Sequence, residues 1–138
     1  MAPLTGCDLI DRRSAAPPPD PLAPLATSAH QLAARYDAAI LAHPTLAERL
    51  RPLADAHRAH AAELARVAGM TLSSASAGPT ASGTPTAGDV KAVLAGLRAA
   101  EQEARGAARE ACLAAPADRA ALLGSIAAAR TSHLEVLR

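Results

Sequence analysis

The chain has 138 residues and a net charge of +1, with 14 basic residues, nearly all arginine, interleaved with 13 acidic ones. This length fits a single domain, and the mixed charge with a single aromatic residue excludes a basic or aromatic platform for nucleic acid. The sequence contains no run of about 18 apolar residues, so it does not predict a membrane-spanning helix. Strand-forming residues are few and do not fall in the alternating apolar–polar pattern of a β-strand, so we predict an all-helical protein. Its core must consist mainly of alanine and leucine.

The beginning of the chain resembles a bacterial lipobox, in which small residues precede a cysteine that receives a lipid. The motif is "LTGC", ending at Cys7, and the following residues 8–21 are polar and proline-rich, a composition typical of a disordered tether. We therefore expect residues 1–7 to be a signal remnant and a lipid on Cys7 to anchor the protein on the extracytoplasmic face of the cell membrane. Too few residues precede Cys7 for a complete signal. The alternative is a chance motif in a cytoplasmic protein that starts at Met1.

Four helices are predicted after the tether. Their expected bounds are 22–42, 46–68, 89–114 with Asp89 as N-cap, and 118 to the end. Pro44 and Pro116 interrupt the pattern, and such short breaks predict antiparallel hairpins. Residues 69–88 are rich in Gly, Ser, Thr and Pro and are long enough to cross the length of a bundle. We expect residues 22–138 to form an all-α, antiparallel four-helix bundle with ferritin-like connectivity. A loop of this length could equally join two simple up-down hairpins.

Helices 2 and 4 share a repeated pattern of residues on their core-facing stripes. The pattern of helix 2 returns 73 residues later: Leu50, Leu53, His57, His60 and Leu64 correspond to Leu123, Ile126, Arg130, His133 and Leu137. The steps of three and four residues follow one face of a helix. The polar members of both sets are therefore expected to face the core.

Counting residues from the two prolines places six polar side chains at one depth in the bundle. Each lies 13 to 17 residues from Pro44 or Pro116; the six are His30, His57, His60, Glu101, Arg130 and His133. We predict that they form a polar layer in the middle of the bundle (the predicted layer). His30 is offset from the apolar stripe of its helix, on which we place Leu25, Leu32 and Tyr36.

Cys112 is expected to be a small buried apolar residue without a disulfide.

Four stretches, "LTGC", "ARYDAAILAHPTLAERLRPL", "AHRAHAAEL" and "CLAAP", carry a resemblance to a family of ferritin-like lipoprotein domains of unknown function from high-GC, actinobacterial-type bacteria. The resemblance covers most of residues 4–138. It implies the bundle fold and membrane anchoring, and it brings no known activity.

Ferritin-like di-metal proteins carry a Glu on each of two helices and Glu-x-x-His on each of the other two. His60 and His133 fall at the histidine positions, whereas His57 and Arg130 occupy glutamate positions. Glu101 matches one of the four expected carboxylates. A pair of hard cations needs several anionic oxygens, so we do not expect a di-iron centre.

Two hypotheses describe what the predicted layer does. In the first, which we favour, Glu101 pairs with Arg130 and the histidines bond to neighbours or water, and the protein is a non-enzymatic envelope module for binding or scaffolding. In the second, the layer binds one transition metal, Zn, Cu or residual Fe. Its candidate ligands are His57, His60, His133, Glu101 and His30. A protein partner or a homodimer is compatible with either hypothesis, and a cytoplasmic helical oligomerisation module is the third alternative.

Overall fold

The computed structural model describes residues 18–72 and 89–138, and over these residues the chain is a bundle of four helices. The helices are α1 (Ala23–Ala42), α2 (Ala47–Ala68), α3 (Val90–Ala114) and α4 (Ala117–Val136). Neither described stretch contains a strand, so the all-helical prediction is confirmed. None of the helices described is long and apolar enough to cross a membrane. Cys7, the predicted tether up to residue 17 and the crossover from residue 73 to 88 lie outside the described residues.

The helix ends lie within two residues of their predicted positions and follow from local chemistry. A single turn of 3₁₀ helix, Pro44–Leu46, separates α1 from α2. Gly69 ends α2 with a φ of 65°, a left-handed conformation that glycine adopts without strain. Asp89 begins α3, because its side chain accepts a hydrogen bond from the backbone N–H of Lys91 at 3.3 Å, as expected of an N-cap. Pro116, in extended conformation, precedes α4.

The helices pack in a network that joins all four. The most extensive contacts are those of α1 with α2 and of α3 with α4, while α1 also contacts α3 and α2 contacts α4. The C-terminal carbonyls of α4 are held by arginines from two other helices: Arg49 donates to the Val136 oxygen at 2.6 Å and Arg98 donates to the Leu137 oxygen. Cationic donors at this end of a helix satisfy carbonyls that have no partner within it.

The apolar core consists of two halves. The first core half contains, among others, Leu32, Leu50, Leu53, Leu97 and Leu137. The second core half contains, among others, Leu22, Leu25, Leu64, Leu123 and Ile126. Along both α2 and α4, the residues that separate one half from the other are the polar ones of the repeated pattern. A four-helix bundle with a polar zone between two apolar zones is therefore the frame of the candidate site.

Two residues at the edge of the bundle are placed differently from expectation. Asp20, which the sequence assigns to the tether, accepts hydrogen bonds from Arg119 on both carboxylate oxygens at 2.9 Å. The bundle therefore includes this residue, since the contact joins the start of α1 to α4. Cys112 is a free thiol and is half-buried rather than buried. Its Sγ donates to the carbonyl oxygen of Ala120 at 3.3 Å.

Candidate metal centre

A polar cluster lies between the two core halves, and every helix contributes to it. Its members are Tyr36, His57, His60, Glu101, Arg130 and His133. His57 and Glu101 are 0% exposed and Arg130 is 1% exposed, whereas His60 is half-buried. Each of these residues has apolar neighbours three or four positions away on its own helix, so the packing that buries the leucines also buries the polar side chains.

One carboxylate oxygen is the centre of the cluster. Oε1 of Glu101 accepts three hydrogen bonds, from Tyr36 OH at 2.7 Å, His57 Nε2 at 2.5 Å and His133 Nδ1 at 3.1 Å. Burial by itself raises the pKa of Glu101, but these donors outweigh it and lower the pKa to about 2. Because an ionised carboxylate can only accept hydrogen bonds, both imidazole rings donate to it.

The three histidines of the cluster lie against one another. The ring centroid of His57 is 5.0 Å from that of His133, edge to face, and the ring of His60 is stacked on His133 with 6.4 Å between centroids. Burial lowers the pKa of His57, and burial together with the nearby charges lowers that of His60 to about 4. Both rings are therefore neutral at pH 7, which is the form of imidazole that binds metals.

Arg130 does not make the ion pair that the first hypothesis requires. Burial lowers the pKa of Arg130, with Glu101 opposing that change, and a guanidinium remains charged nonetheless. Within the described residues, no ion pair joins Arg130 to Glu101, and Nε and Nη1 of Arg130 have no hydrogen-bond partner. The predicted pairing is wrong: Oε1 of Glu101 is held by three other donors, and Oε2 is left without a partner rather than bonded to Arg130.

Tyr36 is the member of the cluster that the sequence reasoning missed, because it assigned this residue to the apolar stripe of helix 1. Tyr36 lies eight residues before Pro44, outside the depth shared by the other polar residues, yet its hydroxyl reaches Oε1 of Glu101 at 2.7 Å. Burial, and then the charge of Glu101, raise the pKa of Tyr36 above its usual range, so the phenol stays a donor. The available signal was a single aromatic hydroxyl on a core-facing stripe, which needs a polar partner when buried.

Three side chains of the cluster can hold a metal ion together. One ligand atom each from His57, Glu101 and His133 lies within 4.8 Å of the other two, and all three residues are buried. Zinc bonds of about 2.0–2.1 Å in a tetrahedral site separate the ligand atoms by about 3.3 Å. The 3.1 Å contact of His133 Nδ1 with Glu101 Oε1 is close to that spacing, and the 2.5 Å contact of His57 Nε2 would lengthen by roughly 0.8 Å. Metal binding at these two nitrogens also requires each ring to change tautomer, because a nitrogen that donates its proton to Glu101 has no lone pair for a metal until that proton moves to the other ring nitrogen. Two imidazoles and one carboxylate suit Zn²⁺, Cu²⁺ or Fe²⁺.

Two other candidate ligands differ in their positions. His60 lies beside the three-ligand group (His57, Glu101 and His133), and its buried Nδ1 has no hydrogen-bond partner in the part of the chain that the structure describes. His30 is half-buried on α1 and is not a member of the three-ligand group. Equal depth along the bundle was therefore not sufficient to bring His30 into that group, since its stripe is rotated away from that of Tyr36.

Comparison of the chain with protein-family models, with curated proteins and with solved structures finds no match. The resemblance to ferritin-like lipoprotein domains therefore stays a prediction.

Proposed function

We propose that this protein binds a single first-row transition metal ion, Zn²⁺, Cu²⁺ or Fe²⁺, through His57, Glu101 and His133. The observation that carries the proposal is the convergence of one ligand atom from each of three helices within 4.8 Å in a buried site. Neutral rings and an ionised carboxylate are the forms that bind metals, and the pKa shifts of His57 and Glu101 favour those forms.

Unpartnered polar atoms in the cluster support the same proposal. Oε2 of Glu101 and Nδ1 of both His57 and His60 are buried and have no hydrogen-bond partner within residues 18–72 and 89–138. Buried polar groups without partners are rare, because each one costs about 1–3 kcal/mol. A metal ion that recruits His60 as a fourth ligand gives some of these atoms a partner.

A second candidate function is a metal-free polar network that fixes the helix register in a non-enzymatic scaffold. The observation in its favour is that Oε1 of Glu101 already accepts three hydrogen bonds. Satisfied polar networks can specify a single packing arrangement. This candidate differs from the first in one measurable respect, because it needs no ion at any concentration.

The location we propose is the outer face of the cell membrane, with a lipid on Cys7 and the bundle connected in the ferritin-like manner. The "LTGC" motif and the proline-rich residues after it support the anchor, and the contacts of α1 with α2 and of α3 with α4 fit two hairpins. When the gene is expressed together with its native upstream sequence in a bacterial host, labelling with a radioactive fatty acid should mark the wild type and Cys112→Ser but not Cys7→Ser. Equal labelling of the two variants would contradict the anchor.

Calorimetric titration of the untagged protein tests the metal proposal. We expect about one equivalent of Zn²⁺, Cu²⁺ or anaerobic Fe²⁺ to bind the wild type, and His133→Ala and Glu101→Gln to lose that binding. His30→Ala and His43→Ala are the matched controls, since both remove a half-buried histidine outside the three-ligand group. Circular dichroism verifies that each variant is folded. Absence of binding, or binding that survives both ligand variants, would favour the metal-free network.

A further inference from the structure

Arg130 is a buried charge whose N–H groups are not used by the surrounding protein. The side chain is 1% exposed, and Nε and Nη1 have no acceptor among the residues described. It lies on the core-facing stripe of α4, one turn before His133. A buried guanidinium normally has an anionic partner, because removing it from water without one is costly.

The described residues around Arg130 do not supply a hydrogen-bonded anion, although the charge of Glu101 acts on the guanidinium from nearby. The carboxylate of the cluster is Glu101, whose Oε1 is held by Tyr36, His57 and His133. When a divalent ion binds, the imbalance increases, because the single negative charge of Glu101 then faces two positive charges on the ion and one on Arg130. In a buried site these charges repel strongly. The site therefore needs one more anion when the metal is present.

We propose that the metal ion binds together with a small planar oxyanion, bicarbonate or a short carboxylate, which ligates the metal and accepts hydrogen bonds from Arg130. This inference rests on the proposed function. A guanidinium offers paired N–H donors in one plane that match two oxygens of a carboxylate-like anion. Because Arg130 is only 1% exposed, we expect an anion of no more than a few heavy atoms to fit beside it. Arg130 then assists metal binding by holding the anion, although its own charge opposes a cation.

The test compares the zinc affinity of the untagged wild-type protein in carbonate-free buffer with its affinity in buffers containing bicarbonate, formate or benzoate. Ionic strength is kept equal with chloride. We expect bicarbonate and formate to tighten zinc binding by about 5- to 150-fold, the usual range for coupling between two ligands. Benzoate, a much larger carboxylate, is the size control and should have no effect. In Arg130→Met the zinc affinity should not respond to bicarbonate, whereas Arg105→Met, which changes an exposed arginine of α3, should respond as the wild type does.

The outcomes separate the two proposals. Zinc that binds equally tightly with and without bicarbonate or formate overturns the oxyanion inference and leaves the metal proposal intact. Absence of zinc binding in every buffer overturns the metal proposal and the oxyanion inference with it. If Arg130→Met does not fold, the zinc affinity of the wild-type protein with and without bicarbonate or formate decides whether the oxyanion binds. In that case the ¹³C resonance of labelled bicarbonate, shifted and broadened only by zinc-loaded protein, is the confirming signal.

Discussion

Among the individual side chains, Glu101 is the shared hydrogen-bond acceptor of the polar cluster. Its single ionised carboxylate receives donors from α1, α2 and α4 while Glu101 itself belongs to α3. Each of these contacts joins a different pair of helices. Loss of the charge therefore weakens the packing of the whole bundle as well as the candidate metal site.

Replacement of Glu101 by Gln should destabilise the fold by at least about 2 kcal/mol, since buried hydrogen bonds to a charged acceptor are the strong ones. Urea unfolding followed by circular dichroism measures the change. Glu103→Gln is the matched control, because Glu103 is exposed on the same helix, and it should stay within about 0.5 kcal/mol of the wild type. Equal unfolding free energies for the two variants would show that the carboxylate does not hold the cluster.

The sequence predicted most residues of the candidate site, because helical spacing and distance from a proline are both local quantities. His57, Glu101, Arg130 and His133 are buried as expected. Which donor reaches which acceptor depends on side-chain length and on the rotation of each helix about its axis. Neither quantity can be read from spacing, and for that reason Tyr36 was missed and the pairing of Glu101 with Arg130 was wrong.

At the level of the helices, the N-cap at Asp89 determines where α3 begins. Asp89→Ala should cost about 1 kcal/mol, because it removes the acceptor for the Lys91 N–H. Asp89→Ser loses the same charge but keeps a capping oxygen, so it should lie within a few tenths of a kcal/mol of the wild type. Urea midpoints of the three proteins give the comparison. If the Ala and Ser variants unfold at the same urea concentration, the hydrogen bond is not what stabilises this end.

Helix boundaries were predictable because Pro44, Gly69, Asp89 and Pro116 act on the residues next to them. The hydrogen bond from Arg49 to Val136 was not predictable from the sequence, since it joins residues 87 positions apart. Contacts of this kind depend on how the hairpins come together, which the sequence pattern leaves open. Ferritin-like connectivity also stays a prediction. The segment that joins the two hairpins, residues 73–88, is outside the described part of the chain.

For the whole molecule, a polar zone between two apolar halves makes stability dependent on pH. The pKa of His60 is lowered from 6.5 to about 4 and that of Glu101 from 4.5 to about 2. In both cases the unfolded chain binds a proton at a higher pH than the folded chain does. The stabilisation is therefore complete above about pH 6.5 and is lost as the pH falls, first through the histidine and then through the carboxylate.

We expect the free energy of unfolding to fall between pH 7 and pH 4, by at most about 1.4 kcal/mol per pH unit for each group that titrates. Urea unfolding at a series of pH values measures the slope. His60→Gln should make the slope between pH 6.5 and pH 4 shallower, because it removes one of the groups whose pKa is lowered in the folded protein. A wild-type stability that does not vary over this range would contradict the burial of neutral histidines.

The measurement that tests the central claim most directly is the metal content of the untagged wild-type protein. The protein is incubated with Zn²⁺, Cu²⁺ or Fe²⁺ in bicarbonate buffer, desalted and analysed by mass spectrometry beside Glu101→Gln. The account predicts one retained ion per wild-type chain and none in the variant. A folded wild-type protein that retains no ion would contradict it, and the polar cluster would then be a structural network.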